Sequence, residues 1–163
     1  TDDRHEASVI MPEIFVPICT PEYLATHDAA KGGHEALTVI NLTNAAQPNW
    51  SNLFFGPRPA EGAGSLIFSD YSVVVQAALL GQGVALGWLN VVGHWLRAGT
   101  LVPATRQALR TERRCSFLRL KDRPVRPIVE EVRDWLTAEL CKDVAEVDRI
   151  YPELDLARLA KCR

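Results

Sequence analysis

A short polar segment in the middle of the chain is the strongest candidate for a binding site. Ser69-Asp70-Tyr71-Ser72 brings two hydroxyls, a carboxylate and a phenol to the predicted start of a helix, directly after a brief strand predicted at 65–68. The N–H groups that a helix N-terminus leaves free, together with serine oxygens, can bind an anion. Capping of a helix from Tyr71 to Leu80 by Ser69 or Asp70 explains the same residues without a ligand. The segment is therefore interpreted either as a cap or as a binding site.

Two other segments are predicted to lie beside it. Thr43-Asn44 follows an apolar run at 37–42, and Trp88-Leu89 closes the apolar run that begins at Val84. Ligands of open α/β sheets bind outside the carboxyl ends of the strands, so three strand ends at one edge predict a pocket. The predicted effector-binding residues are Thr43, Asn44, Ser69, Asp70, Tyr71, Ser72, Trp88 and Leu89.

Motifs for catalysis, metal binding and nucleotide binding are missing from the sequence. Gly81-Gln82-Gly83 follows a predicted helix and precedes a strand, which reverses the order of a dinucleotide-binding loop. No G-x-x-x-x-G-K-[ST] or G-x-S-x-G motif is present, and the four histidines form no H-x-x-x-H pair. We therefore expect no catalytic residue, no metal site and no cofactor, and the protein is not predicted to be an enzyme.

The composition is that of a globular domain in a reducing compartment. Of 163 residues, 47% are hydrophobic and 23% are charged. The longest apolar stretches are far below the roughly 20 residues that a bilayer crossing needs, so we expect no membrane association. The four cysteines are scattered without a C-x-x-C spacing, which favours a cytoplasmic location over a disulfide scaffold. They are Cys19, Cys115, Cys141 and Cys162.

Basic residues are concentrated in one part of the chain. The net charge is −2, but residues 97–126 carry nine basic and two acidic side chains. A nucleic-acid patch is one interpretation. The favoured one is a solvated strand and turn whose arginines balance the acidic remainder, within the fold or across a dimer, because the block shows no aromatic interleaving and no recognisable helix-turn-helix.

Strands and helices alternate along the chain. This order predicts an α/β fold with a mostly parallel sheet covered by helices on both faces. A long connection or distorted hairpin is predicted at 43–65, and an amphipathic helix at 127–140 is followed by a charged, helical tail. Strands are predicted at 13–19, 37–42, 65–68, 84–88 and 115–120, and helices after Thr20, Asp70 and Asn90.

Several phrases resemble the effector-binding domain of LysR-type transcriptional regulators. Phe15 to Leu24 is similar to their crossover segment, and Phe68 to Gly87 is similar to a helix and strand of their second lobe. The phrase A-A-x-x-G-Q-G-V-A-L-G at 77–87 resembles the branch that includes the glycine-cleavage activator, as does the segment 96–103. The resemblance covers about residues 13–140.

The resemblance implies a two-lobed fold like that of the type II periplasmic binding proteins. Residues 1–140 would be the effector-binding domain, with a complete second lobe at 13–114 and a return strand and helix to a partial first lobe at 115–140. A C-terminal helical extension would occupy 141–163. The family also implies a small polar effector, a homodimer or homotetramer, and promoter DNA bound through a helix-turn-helix domain upstream of this bacterial chain.

Two rival functions remain open. A solute-binding protein of a transporter would have the same fold, with a signal peptide upstream in place of a DNA-binding domain. A small α/β enzyme would need a strongly perturbed titrating group in the cleft, for which the sequence offers Asp70 and Tyr71.

Overall fold

Six strands form one mixed sheet in a computed structural model, which describes residues 4–27, 37–43, 50–56 and 64–160. The chain enters through a long strand and then alternates between short helices and strands. In chain order, the elements are β1 (His5–Cys19), α1 (Pro21–Thr26), β2 (Val39–Leu42), α2 (Trp50–Phe55), β3 (Ser65–Phe68), α3 (Tyr71–Leu79), β4 (Val84–Trp88), α4 (Leu89–Ala98), β5 (Val102–Pro103), β6 (Leu109–Leu120), α5 (Pro127–Ile150) and α6 (Leu156–Ala160).

The sheet is mixed, and only its βα units are parallel. The strand order is β3-β2-β4-β1-β5, with β6 also paired to β1. Strand β2 is parallel to β3 and β4, whereas β1 runs antiparallel to β4, β5 and β6. The predicted α/β class is confirmed, but the expectation of a mostly parallel sheet needs correction. Helical crossovers make β2, β3 and β4 parallel, while the first and last strands meet as an antiparallel ribbon.

Helices cover both faces of the sheet, as predicted. One face buries Ile14, Val16 and Ile18 of β1 in a core with residues of α3, α4, α5 and α6. The other face buries Cys19 and Val84 beneath residues of α1 and α2. Side chains of β1 and β4 alternate between these two cores, which explains the nearly continuous apolar runs in both strands.

Local signals identified most helix ends. The Tyr23 N–H donates to Thr20 Oγ1 at 3.2 Å, so the predicted Thr20 cap of α1 is confirmed. Gly99 has a φ of 72° at the end of α4, the left-handed conformation expected of a glycine stop. The predicted Asn90 cap is wrong. Helix α4 begins at Leu89, its N-cap is Trp88, and no side chain caps it.

Both strands of the ribbon are longer than predicted. Strand β1 begins at His5 rather than Glu13, and β6 begins at Leu109 rather than Cys115. The predicted connection at 43–65 contains α2 (Trp50–Phe55), and residues 44–49 and 57–63 of it lie outside the described residues. Trp50 is 2% exposed and anchors α2 in the core beneath the sheet.

Helix α5 continues past the boundary predicted at 140/141. It spans 24 residues, and its second half packs on α4. Arg97 of α4 donates to Asp143 Oδ1 at 2.5 Å and to Glu146 Oε2 at 3.1 Å. Cys19 and Cys115 are free thiols, whereas Cys141 is disulfide-bonded, which the scattered spacing did not indicate.

Candidate functional site

The ends of β2, β3 and β4 meet at one edge of the sheet. Leu42 is in register with Phe68, and the Thr43 N–H donates to the Phe68 carbonyl at 2.8 Å. Ile40 is in register with Ala85, three residues before the end of β4. Thr43, the start of α3 and Trp88 therefore lie at the same edge. Asn44 lies outside the described residues.

Asp70 caps α3 with its own carboxylate. Its Oδ1 accepts the Ser72 N–H at 2.7 Å and the Ser72 hydroxyl at 2.5 Å. The hydrogen bond from the Ser72 side chain, followed by that from its backbone, lowers the pKa of Asp70 below its usual value. The start of α3 thus carries a fixed negative charge, flanked by the exposed residues Ser69 and Ser72. Such a charge favours an amine over an anion at this position.

Tyr71 holds the end of β4 in place. Its hydroxyl accepts the Trp88 N–H at 2.7 Å and donates to the Leu86 carbonyl at 3.3 Å. Its ring lies 4.4 Å from the Trp88 ring. Burial raises the pKa of Tyr71 from 10.0 to about 12, although the Trp88 hydrogen bond acts in the opposite direction. Tyr71 therefore positions the Trp88 backbone and contributes a ring face rather than a free hydroxyl.

The alkaline stability of the fold should depend on Tyr71. Because the folded state retains the phenol proton to about pH 12, this contribution is complete below pH 10 and declines as the pH rises through 12. Burial also raises the pKa of the Cys19 thiol from 9.0 to about 12, which adds a decline that starts near pH 9. Tyr71→Phe should flatten the decline in the free energy of unfolding above pH 10, measured by urea titration at several pH values.

The Cys19→Ala variant provides the control for this experiment. It should flatten the decline that starts near pH 9 and leave the later one intact. Tyr71→Phe also leaves the Trp88 N–H without its acceptor, so we expect a cost of about 1–3 kcal/mol at neutral pH. An unchanged slope above pH 10 in Tyr71→Phe would contradict the assignment.

Trp88 is held from its other side by a carboxylate that the sequence did not reveal. Its Nε1–H donates to Glu13 Oε1 at 3.1 Å, and the Thr111 hydroxyl donates to Glu13 Oε2 at 2.6 Å. The Phe15 ring lies 5.7 Å from the Trp88 ring. Glu13 therefore ties the end of β4 to the ribbon of β1 and β6, where the register of the two strands shifts between Pro12 and Ile14.

The predicted site residues differ in what they can offer to a ligand. Thr43, Ser69, Asp70 and Ser72 are exposed, and Trp88 is half-buried. Leu89 is 2% exposed, and its side chain packs in the core under α4. The edge thus presents hydroxyls, carboxylates and aromatic rings, which suit recognition of a small polar molecule.

The described residues show neither a metal cluster nor a membrane helix. No group of three His, Cys, Asp or Glu side chains among them is arranged to hold a metal ion. In the same part of the chain, no helix is long and apolar enough to cross a bilayer.

The mixed sheet and the antiparallel ribbon of β1 and β6 match a lobe of the type II periplasmic-binding-protein fold. The model of the LysR substrate binding domain family matches residues 1–141. The chain therefore belongs to the LysR substrate-binding-domain family. No curated protein sequence matches the chain closely enough to be counted as a relative.

Solved structures of regulator domains share this fold. The effector-binding domain of AmpR from Citrobacter freundii is 19% identical with a TM-score of 0.62, over 87% of this chain and 70% of that one. The regulatory domain of CrgA from Neisseria meningitidis is 19% identical with a TM-score of 0.57, over 85% and 70%. Full-length LysG from Corynebacterium glutamicum, solved with the effector Arg bound, is 14% identical with a TM-score of 0.54, over 85% and 47%.

Proposed function

We propose that this chain is the effector-sensing domain of a bacterial LysR-type DNA-binding transcriptional regulator, and that a small polar metabolite binds at the edge formed by β2, β3 and β4. The observation that carries the proposal is the meeting of Thr43, the start of α3 and Trp88 at this edge in a chain of the LysR family. The role is that of a sensor and not of an enzyme.

The chemistry of the edge supports an amino acid or an organic acid as the effector. The hydroxyls of Thr43 and Ser69 can donate to a carboxylate. The exposed Asp70 carboxylate can accept from an amine, as can the oxygen of Ser72, whose proton is donated to Asp70. The Trp88 ring offers an apolar surface beside them. LysG, which has the same fold, was solved with the effector Arg bound. An amino acid satisfies both kinds of group at once, so it is the effector class favoured here.

Exposed apolar side chains support a division of the chain into lobes. We assign 13–114 to the second lobe, 115–140 to the return toward a first lobe, and 141–163 to an extension. Val9 and Leu118 of the ribbon are each 53% exposed. In the first half of α5, Ile128, Val132 and Trp135 are 51%, 42% and 62% exposed. Such a surface favours contact with further protein, which the rest of a first lobe would supply.

The wider context is proposed from the family. A helix-turn-helix domain in a segment outside this chain would bind promoter DNA, and the regulator would assemble as a homodimer or homotetramer in the cytoplasm. The phrase at 77–87 supports a place in the glycine-cleavage-activator branch. A solute-binding protein of a transporter is the alternative, and it would show ligand binding without any DNA binding.

A thermal-shift screen of the intact protein against amino acids, amines and organic acids tests the proposal. A ligand at 100 times its dissociation constant adds about 2.7 kcal/mol, which moves the melting temperature by several degrees. We expect a selective hit that also changes binding to promoter DNA. A hit without DNA binding under any condition would favour the transporter protein.

Two substitutions then locate the effector. Asp70→Asn retains a good helix cap but removes the charge, and Ser72→Ala removes one hydroxyl. Each should weaken the hit about tenfold or more, since charge-assisted hydrogen bonds contribute roughly 1.5–3 kcal/mol. Asp134→Asn and Ser116→Ala change the same residue types in α5 and β6 and should leave the affinity unchanged. Unaltered affinity in both edge variants would place the effector elsewhere.

A further inference from the structure

The cysteines of the chain are in two different chemical states. Cys141 on α5 is disulfide-bonded, whereas Cys19 and Cys115 carry free thiols. The fourth cysteine, Cys162, lies outside the described residues. A disulfide needs a second cysteine, and two of the three candidates in the chain are free. Cys162 is therefore the remaining partner for Cys141.

The two free thiols compete poorly for a disulfide bond. Cys19 is buried, and burial raises the pKa of its thiol from 9.0 to about 12. Cys115 is half-buried, and the same cause raises its pKa above the usual value. The thiolate is the reactive form of cysteine, so both thiols react slowly at neutral pH. Thiol–disulfide exchange is thereby restricted to Cys141 and its partner.

The chain between Cys141 and Cys162 folds back on itself. The carboxylate of Asp148, in the last turn of α5, accepts the N–H groups of Leu156 and Ala157 at 2.6 and 3.2 Å, which holds the start of α6 beside the end of α5. Helix α6 packs against α5 and ends two residues before Cys162. A bond between the two cysteines thus closes a loop over residues 141–162.

Cys141 lies where α5 passes from one set of contacts to another. It shares a cavity with Ser8 and Ile10 of β1 and with side chains from the first half of α5. The second half of α5 packs on α4, where Arg97 pairs with two acidic residues of α5. The loop that begins at Cys141 is therefore the segment that packs on α4, the helix that directly follows Trp88 at the effector edge.

We propose that Cys141 and Cys162 form a redox-controlled disulfide, which fixes the segment 142–160 on α4 and is opened by reduction. We refer to this bond as the C-terminal clasp. In a reducing compartment, disulfides are usually transient and serve catalysis or redox sensing. The regulatory meaning of the clasp rests on the cytoplasmic regulator proposed above, whereas its formation and its effect on stability do not.

Formation of the C-terminal clasp is a two-electron oxidation, for which oxidised glutathione is a suitable oxidant. The thiolate of one cysteine attacks the glutathione disulfide, forms a mixed disulfide and releases one molecule of reduced glutathione. The second thiolate then attacks the cysteine sulfur of the mixed disulfide, forms the S–S bond of the clasp and releases the second molecule. The two thiol protons and the two electrons end on the two glutathione thiols, and excess reduced glutathione reverses both steps.

Thermal unfolding of the intact protein, oxidised with oxidised glutathione or reduced with dithiothreitol, tests the clasp. We expect the oxidised form to melt about 5–10 °C above the reduced form, because closure of a loop of this length restricts the unfolded chain. Cys141→Ser and Cys162→Ser should each abolish this difference. Mass spectrometry of the unreduced digest should recover the peptides that contain Cys141 and Cys162 as one linked species.

The matched control is Cys115→Ser, which removes a thiol that is free and half-buried and should retain the full difference in melting temperature. Linkage of Cys141 to any other cysteine, or equal melting temperatures of the oxidised and reduced forms, would overturn the proposal. Excess reduced glutathione should open the bond. A bond that persists in it would be a permanent structural disulfide, which would refute redox control.

Binding to promoter DNA in the two redox forms tests the regulatory role separately. We expect the affinities of the oxidised and reduced forms to differ at least threefold, and the difference to vanish in Cys141→Ser. Equal affinities would refute the regulatory role of the clasp and leave the proposed regulator intact. Absence of DNA binding in both forms would refute the regulator itself, while a shift in melting temperature would still support the bond.

Discussion

A chain that ends at residue 141 is expected to lose cooperative folding. The family model ends at this residue, yet the segment that follows contributes to the main core. Full burial of a valine or leucine side chain contributes about 1.5–3 kcal/mol. Four such residues amount to roughly 6–12 kcal/mol, comparable to the whole stability of a typical domain. The core residues that the truncation removes are Val144, Val147, Leu154, Leu156 and Ala160.

The truncation also removes polar contacts that fix the segment. Asp148 Oδ1 accepts the N–H groups of Leu156 and Ala157 at 2.6 and 3.2 Å, which caps α6. The Tyr151 hydroxyl donates to the Leu96 carbonyl at 3.3 Å and so joins the segment to α4. Urea unfolding followed by circular dichroism should show a broad, early transition for the truncated chain and a sharp one for the full chain.

Two point substitutions test whether the buried side chains of this segment are what stabilises the fold. Val147 is 0% exposed, whereas Ala145, two residues earlier on α5, is exposed. Val147→Asp places an unpaired charge in the core and should unfold the protein, while Ala145→Asp should lower the free energy of unfolding by only about 1 kcal/mol, the cost of a poorer helix former. Retention of full stability by the truncated chain or by Val147→Asp would refute the integral role of the segment.

The elements that the sequence predicted correctly are those specified by neighbouring residues. Thr20 and Asp70 cap helices through contacts that span three and two positions, and Gly99 ends α4 through its own backbone conformation. The apolar run 84–88 is a strand with its side chains in both cores. Signals that span only a few residues can be recognised without knowledge of the rest of the fold.

The ribbon could not be predicted in the same way. The first half of β1 and the start of β6 are rich in polar and charged residues, which do not favour strands by themselves. Their stability comes from pairing with each other across about a hundred residues of sequence, as in the pair Phe15 and Leu109. The sequence also could not show whether β1 runs parallel or antiparallel to its neighbours, since strands of both kinds have similar sequences.

The candidate site was predicted where it depended on topology and missed where it depended on long-range contacts. The meeting of strand ends follows from the βα order, so Thr43, the start of α3 and Trp88 could be placed together. Glu13 is 75 residues from Trp88 and 98 from Thr111, and no local pattern joins them. The one available signal was an acid at the first position of the otherwise apolar strand predicted at 13–19. Leu89 was placed at the edge because α4 was expected to begin after Asn90, whereas its true start at Leu89 directs this side chain inward.

Two glycines beside the site are expected to respond in opposite directions to the same substitution. A Cβ atom at Gly87, one residue before Trp88, would lie 2.9 Å from Val92 Cγ2 and 3.1 Å from two carbons of Ile18. Both neighbours are fully buried and belong to the core between α4 and β1, so they cannot easily move away. Gly87→Ala should therefore lower the free energy of unfolding by about 1–3 kcal/mol.

Gly93 provides the matched case in the middle of α4. A Cβ atom there has its closest contact at 3.9 Å, with Asp143 Cβ, which is ordinary van der Waals separation. Alanine also favours the helix over glycine by about 0.5–1 kcal/mol, so Gly93→Ala should raise the free energy of unfolding by that amount. Urea titration of both variants tests the prediction, and tryptophan fluorescence should change only in Gly87→Ala, where the shifted strand end moves Trp88. Equal effects of the two substitutions would mean that α4 does not pack tightly against β4 at Gly87. The position of Trp88 would then be set by its contacts with Tyr71 and Glu13 alone.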